Sequence, residues 1–180
     1  MAEFIQKHKL FSFYSTLMII VVLIAIFAPW LAPGDAFTSN MSQALQAPSS
    51  HHWFGTDKLG RDVLSRVIYG TQLSLFMGVS IVVIMVSIGT VIGAVAGYFG
   101  GKIEIILMRL ADIMLSFPGV VLAIAIAGIL GGSVLNTIIA LSVVGWAKYA
   151  RLVRSMTLKV RGEEYVTAAV MMGASTSTII

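Results

Sequence analysis

The sequence predicts an all-α fold, a polytopic membrane helical bundle of four spans. Three observations predict it. Of 180 residues, 58% are hydrophobic and 11% charged, against about 25% charged in a soluble domain, and the mean hydropathy is +0.94. Uncharged runs are long enough to cross a hydrocarbon core of about 30 Å. The basic residues stand at the ends of those runs instead of forming a patch. Such a chain lacks the polar surface to face water, and its natural solvent is a bilayer.

The first span is expected at about 10–31. The run from Leu10 to Leu31 carries no charge, and about 22 residues at 1.5 Å each reach ~33 Å. A secretory signal has a shorter apolar stretch, about 7–15 residues, before a small-residue cleavage site. Pro29-Trp30-Leu31-Ala32-Pro33 is a poor cleavage site, so the span is read as uncleaved. Residues 32–60 are loop, punctuated by Pro33, Gly34, Asp35, Asn40 and Pro48. From Gly60 to Gly70, Val63, Leu64, Val67 and Ile68 share one helical face and Arg61, Asp62, Ser65 and Arg66 the other. That split suits a short amphipathic helix, lying on the membrane surface or capping the bundle, within an outer segment of 32–72.

The second span is expected at about 73–98. Gly89, Gly93 and Gly97 recur every four residues along one face, which lets a neighbouring helix approach closely. Gly100-Gly101-Lys102 makes the following turn. The next uncharged stretch, 113–147, is ~52 Å as a helix and too long for one crossing. Gly131-Gly132-Ser133 divides it, giving spans at about 104–130 and 134–157, the former kinked at Pro118.

Orientation follows from the basic residues. With the N-terminus inside, inner segments carry Lys7, Lys9, Lys102, Arg109, Lys148, Arg151, Arg154, Lys159 and Arg161. The outer loop carries Lys58, Arg61 and Arg66, offset by Asp35, Asp57 and Asp62. That bias places the N-terminus and the segment after Arg161 in the cytoplasm. Basic residues used this way argue against nucleic-acid binding.

Catalytic chemistry has little to stand on. With no cysteine, disulfides and thiolate metal sites are excluded. Ala96-Gly97-Tyr98-Phe99-Gly100-Gly101-Lys102-Ile103 comes nearest to a phosphate-binding loop, yet lacks its leading glycine and the hydroxyl residue after the lysine. His51 and His52 have no third ligand at useful spacing, so no metal site is assigned. Arg109 and Asp112 lie three apart on the third span, close enough to pair on one face or to line a pathway. Lys148 is expected to snorkel to the inner interface.

The segment after Arg161, about 162–174, reads as a short cytoplasmic helix. Glu163 and Glu164 suit its N-terminal dipole and Gly173 its end. Tyr165, Ala168, Ala169 and Met172 share a face of small residues flanked by larger ones. Such a face fits a groove on a partner or touches lipid, and the pattern leaves both open.

Four blocks together resemble a known family. They are the stretch from His52 to Arg66 with its Gly55-Thr56-Asp57 and Gly60-Arg61-Asp62; the turn from Gly93 to Gly101; Asp112-Ile113-Met114-Leu115-Ser116-Phe117-Pro118; and the run from Trp146 through Arg154 to Gly173-Ala174-Ser175. They are similar to binding-protein-dependent ABC importer permeases, specifically the dipeptide/oligopeptide/nickel branch. The resemblance implies a type I importer permease fold and a transport subunit with no enzymatic activity. It implies a coupling helix, comprising Glu164, Tyr165, Thr167, Ala168, Ala169, Met172 and Gly173, that docks on an ATPase. The implied partners are a second permease subunit, two cytoplasmic ATPase subunits carrying ATP and magnesium, and an extracytoplasmic substrate-binding protein, in the inner membrane. No cofactor is implied in this chain. Thr167 stands where the family's coupling motif has glutamate, and Glu163 or Glu164 is the candidate to replace that carboxylate. The family has six spans, so four here imply C-terminal truncation. Peptide is the first expectation for the substrate and nickel or a metal chelate the second; an ion-coupled secondary transporter is the alternative of another class.

Overall fold

A computed structural model describes residues 9–175 and residue 178; Lys7 and His8 lie outside the described residues. Among the described residues there are seven α-helices and no strand: α1 (Lys9–Ile26), α2 (Ala28–Leu31), α3 (Val63–Phe99), α4 (Gly101–Ser116), α5 (Gly119–Leu130), α6 (Val134–Arg161) and α7 (Glu164–Met171). The chain divides into two units, Met1–Gly78 and Val79–Ile180, and the boundary falls within α3.

In the first unit, α1 passes through Phe27 into α2, and Pro29 sits in the first turn of α2, where a missing N–H costs nothing. A loop with a single 3₁₀ turn at Met41–Gln43 follows. It is held by backbone pairs such as Asn40 N to Leu59 O (2.9 Å) and Thr56 N to Gln46 O (3.1 Å). The amphipathic segment from Gly60 to Gly70 does not form a separate surface helix. Its apolar and polar faces are the first turns of α3, which runs unbroken for 37 residues. Gly70 alone does not stop a helix, and no proline intervenes before residue 99.

In the second unit, α6 is the central element, burying Ile138, Ala140, Ser142, Val144, Trp146, Ala147 and Ala150. Ala111, Trp146, Ala147 and Ala150 form its core, with Ile92, Met108, Met114 and Leu115 packed around them. The third expected span is not one kinked helix. It is two helices, α4 and α5, bent by 90°. Phe117 is extended (φ −92°, ψ 147°), as sterics before a proline favour, and Pro118 stands at the N-terminal boundary of α5. At the other end of α5, Gly131 takes φ +90°. Ser133 Oγ accepts from Asn136 N (3.1 Å) to start α6, and Asn136 Nδ2 donates to Leu130 O (2.6 Å) and Gly131 O (3.0 Å).

By length and composition, α1 and α3 are each able to cross a membrane, and α4 with α5 makes a third crossing if the bent pair counts as one. The fourth expected span, 134–157, lies within α6. That helix has the length, but Lys148, Arg151 and Arg154 lower its apolar character.

Candidate functional site: the terminal helix and its seat

The site begins with a glycine face on α3. A Cβ on Gly89 would stand 2.5 Å from Tyr149 Cβ, one on Gly93 would collide with Ala150 O, and one on Gly97 would stand 2.7 Å from Thr157 Cβ. The partners advance along α6 as the glycines advance along α3, so within the second unit the two helices run parallel with backbones in near contact. This close approach brings the ends of the two helices, Phe99 and Arg161, to one side.

Two ion pairs tie α4 to α6 near that end. Arg154 donates from Nε to Glu104 Oε1 (2.6 Å) and also from Nη2. Arg151 Nη2 reaches Asp112 Oδ1 at 2.5 Å. The expected pairing of Asp112 with Arg109 is therefore replaced by a pairing across helices. Ala111 of α4 is fully buried against α6, which brings Asp112 beside Arg151, while Arg109 stays exposed with no ion pair among the described residues.

Beyond Arg161, Gly162 and Glu163 alone connect α6 to α7. Backbone bonds close the joint, Gly162 N to Lys159 O (3.2 Å) and Glu163 N to Val160 O (3.0 Å). α7 ends in a Schellman turn: Gly173 at φ +84°, its N–H on Val170 O and Ala174 N on Ala169 O, both 3.0 Å. Tyr165 is 64% exposed and Met172 82%. Ala168 and Thr167 are exposed too, and Ala169 is half-buried. Val166, about 100° around the helix from Tyr165, is the one buried residue of the helix. Glu163 and Glu164 make no ion pair among the described residues, and both are exposed.

The signature loop of the first unit is a self-contained scaffold. Gly55 (φ +71°) and Gly60 (φ +73°) are left-handed, and a Cβ on either would strike a backbone carbonyl, Gln46 O or Asn40 O. Thr56 Oγ1 accepts from Gln46 N (2.8 Å) and donates to Gln43 O. Asp57 accepts from Leu59 N (2.8 Å), Arg61 N (3.0 Å) and Arg61 Nε (2.9 Å), and pairs with Arg66. Asp62, 2% exposed, caps α3 by accepting from Ser65 N and Ser65 Oγ, both 2.7 Å. Ser65 Oγ in turn accepts from Gly34 N (2.9 Å). Burial pushes the Asp57 carboxyl up, but hydrogen bonds from Arg61, Leu59 and Arg66 outweigh it and hold the group well below the usual carboxylate range. Asp62 is shifted downward too: burial opposes, and bonds from Ser65 and His52 prevail. Asp35 is lowered to about 2 by hydrogen bonds from Thr38 and Phe37. His52 Nδ1 lies 3.0 Å from Asp62 Oδ1, which gives that imidazole a structural partner. No group of three metal-ligating side chains occurs among the described residues.

Sequence reasoning missed Val166, Glu104 and the Arg151 and Arg154 partners. A signal for the ion pairs was present, since Glu104 and Asp112 are the only acids between residues 63 and 162 and each calls for a cation. Val166 gave none, because its burial depends on helix ends that sequence spacing does not bring together.

These features define a class: an all-α chain, among the described residues, of apolar membrane helices followed by a short helix with one side buried and one side exposed. Residues 89–180 match the family model of the binding-protein-dependent transport system inner membrane component. Residues 5–48 match that of the N-terminal TM domain of oligopeptide transport permease C. The chain belongs to the binding-protein-dependent transport system inner membrane component family. It is 43% identical over 176 residues to a dipeptide transport system permease protein of Alkalihalophilus pseudofirmus, covering 98% of this chain and 58% of the relative. To a probable D,D-dipeptide transport system permease protein of Escherichia coli it is 42% identical over 161 residues, 89% of this chain and 54% of the relative. To an oligopeptide transport system permease protein of Bacillus subtilis it is 37% identical over 175 residues, 97% of this chain and 57% of the relative. The chain thus spans a little over half the length of these relatives.

Proposed function

We propose that this chain forms the membrane-embedded part of a permease subunit in an ATP-driven importer of short peptides. It works beside a second permease, two cytoplasmic ATPases that bind ATP and magnesium, and an extracytoplasmic binding protein that captures the substrate. The N-terminus and α7 lie on the cytoplasmic side, and the loop with its Asp57 and Asp62 networks lies outside. The names of the relatives, which are permeases for dipeptides and oligopeptides, support peptide over nickel. Ion coupling is disfavoured by one observation: both carboxylates on the helices from α3 to α6 are already held by arginines, leaving no free acid there to carry a proton or sodium.

The observation that carries the proposal is the two-faced burial of α7. Tyr165, Ala168 and Met172 present small and large side chains outward, while Val166 is turned in. ATP-driven closure of the ATPases would push this helix, and the membrane helices would respond by exchanging outward- and inward-facing states. The driving energy is differential binding between those states. A photocrosslinker at position 168 in native membranes tests the docking directly. Capture of the ATPase subunit is expected. Lipid adducts as the sole products would sink the docking reading.

A further inference from the structure

Val166 links the two-faced helix to the bundle, and the geometry points to a role beyond filling space. Its neighbours on α7 are open, with Tyr165 at 64%, Val170 at 52% and Met171 at 83% exposure, while Val166 is at 8%. It forms a shared wall of two cavities. One, of about 190 Å³, is bordered by Ala94, Met156 and Val160; the other, of about 410 Å³, by Phe99, Thr167 and Val170. Tyr98 and Arg161 border both, and the Arg161 guanidinium lies 6.0 Å from the Tyr98 ring centroid. The walls therefore come from the last turns of α3 and α6, the same two helices that the glycine face holds in contact at Gly93 and Gly97.

A two-residue joint, Gly162 and Glu163, is the covalent link of α7 to the end of α6. A push on the exposed face reaches the bundle through that joint and through whatever the buried side of the helix bears on. Val166 is the one buried side chain of α7, so it is the side chain placed to bear that load, and both cavities adjoin it.

We infer that Val166, which borders both cavities together with Tyr98 and Arg161, is a positioning residue that transmits motion of α7 to the α3–α6 pair. This inference rests on the docking reading above. The test uses the assembled importer, with its partner subunits, in proteoliposomes, measuring transported substrate per ATP hydrolysed. Val166→Ala removes two methyl groups from the seat and leaves the outer face untouched. The expected result is retained ATPase crosslinking from position 168 and retained hydrolysis, with transport per ATP lowered about threefold or more. Val166→Ile, which keeps the site filled, should leave the ratio at the parent value. If Val166→Ala fails to assemble, Val166→Thr keeps the shape, weakens the apolar contact, and is expected to lower the same ratio. An unchanged ratio in the assembled variant overturns the inference. So does loss of the crosslink in the variant, which would mean that the seat presents the docking face and does not carry load. Failure of the parent protein to crosslink would refute the docking reading instead, so the two failures are distinguishable.

Discussion

At the scale of single residues, the glycines of α3 give a prediction of sign. Gly93→Ala places a methyl group against Ala150 O, and overpacking of that kind costs about 1–3 kcal/mol. Gly128→Ala on α5 meets nothing within 4 Å, and helix propensity alone favours alanine by up to about 1 kcal/mol. Thermal unfolding of the detergent-solubilised protein should show a lower Tm for the first and an equal or higher Tm for the second. The four-residue glycine period was legible in the sequence, because period alone puts residues on one face. The neighbour was not, since Tyr149 and Thr157 lie tens of residues away. Asp112 shows the same limit: Arg109, three residues off, was the local candidate, yet packing at Ala111 delivers Arg151. The loop carboxylates predict a pH response. Asp57, Asp62 and Asp35 are all held below their ordinary values, so the stability they contribute is fully present above about pH 4 and is lost as pH falls through their folded-state range. Hydrogen-exchange protection of the amides of Leu59 and Arg61 should hold from pH 7 to about 4 and decline below that. Loss of protection already between pH 7 and 5 would contradict the assignment.

At the scale of elements, α4 and α6 are joined by charge as well as by small residues. Glu104 and Arg154 are mostly buried side chains, 20% and 33% exposed. Glu104→Gln removes the charge from a pair with two donors and should cost about 1–2 kcal/mol. Glu104→Arg alone should cost more, and combining it with Arg154→Glu should recover part of the loss; denaturation of the single and double variants measures the difference. Helix positions were largely legible from uncharged runs and breakers. Joints were less so. The amphipathic pattern after Gly60 looked like a separate helix because its polar residues stand out, but Asp62, Ser65 and Arg66 are polar in order to bind the loop. Pro118 was legible as a disturbance. Its size, a 90° bend, was not, because it depends on Phe117 taking the extended conformation as well.

At the scale of the whole molecule, the family was legible because the motif blocks lie in order along the chain, and residues 89–180 match a model of that family. What the free face of α7 does was not legible from its pattern, which suits lipid and protein equally. Val166 is buried by the chain itself, while Tyr165 and Met172 are exposed on it. The central claim is that this open side faces the cytoplasm, where an ATPase reaches it. The chain has no cysteine, so Ala168→Cys provides a single thiol for a membrane-impermeant maleimide. Labelling in inside-out vesicles and protection in right-side-out vesicles is the predicted result. Labelling in right-side-out vesicles would put the helix on the wrong side of the membrane and contradict the account.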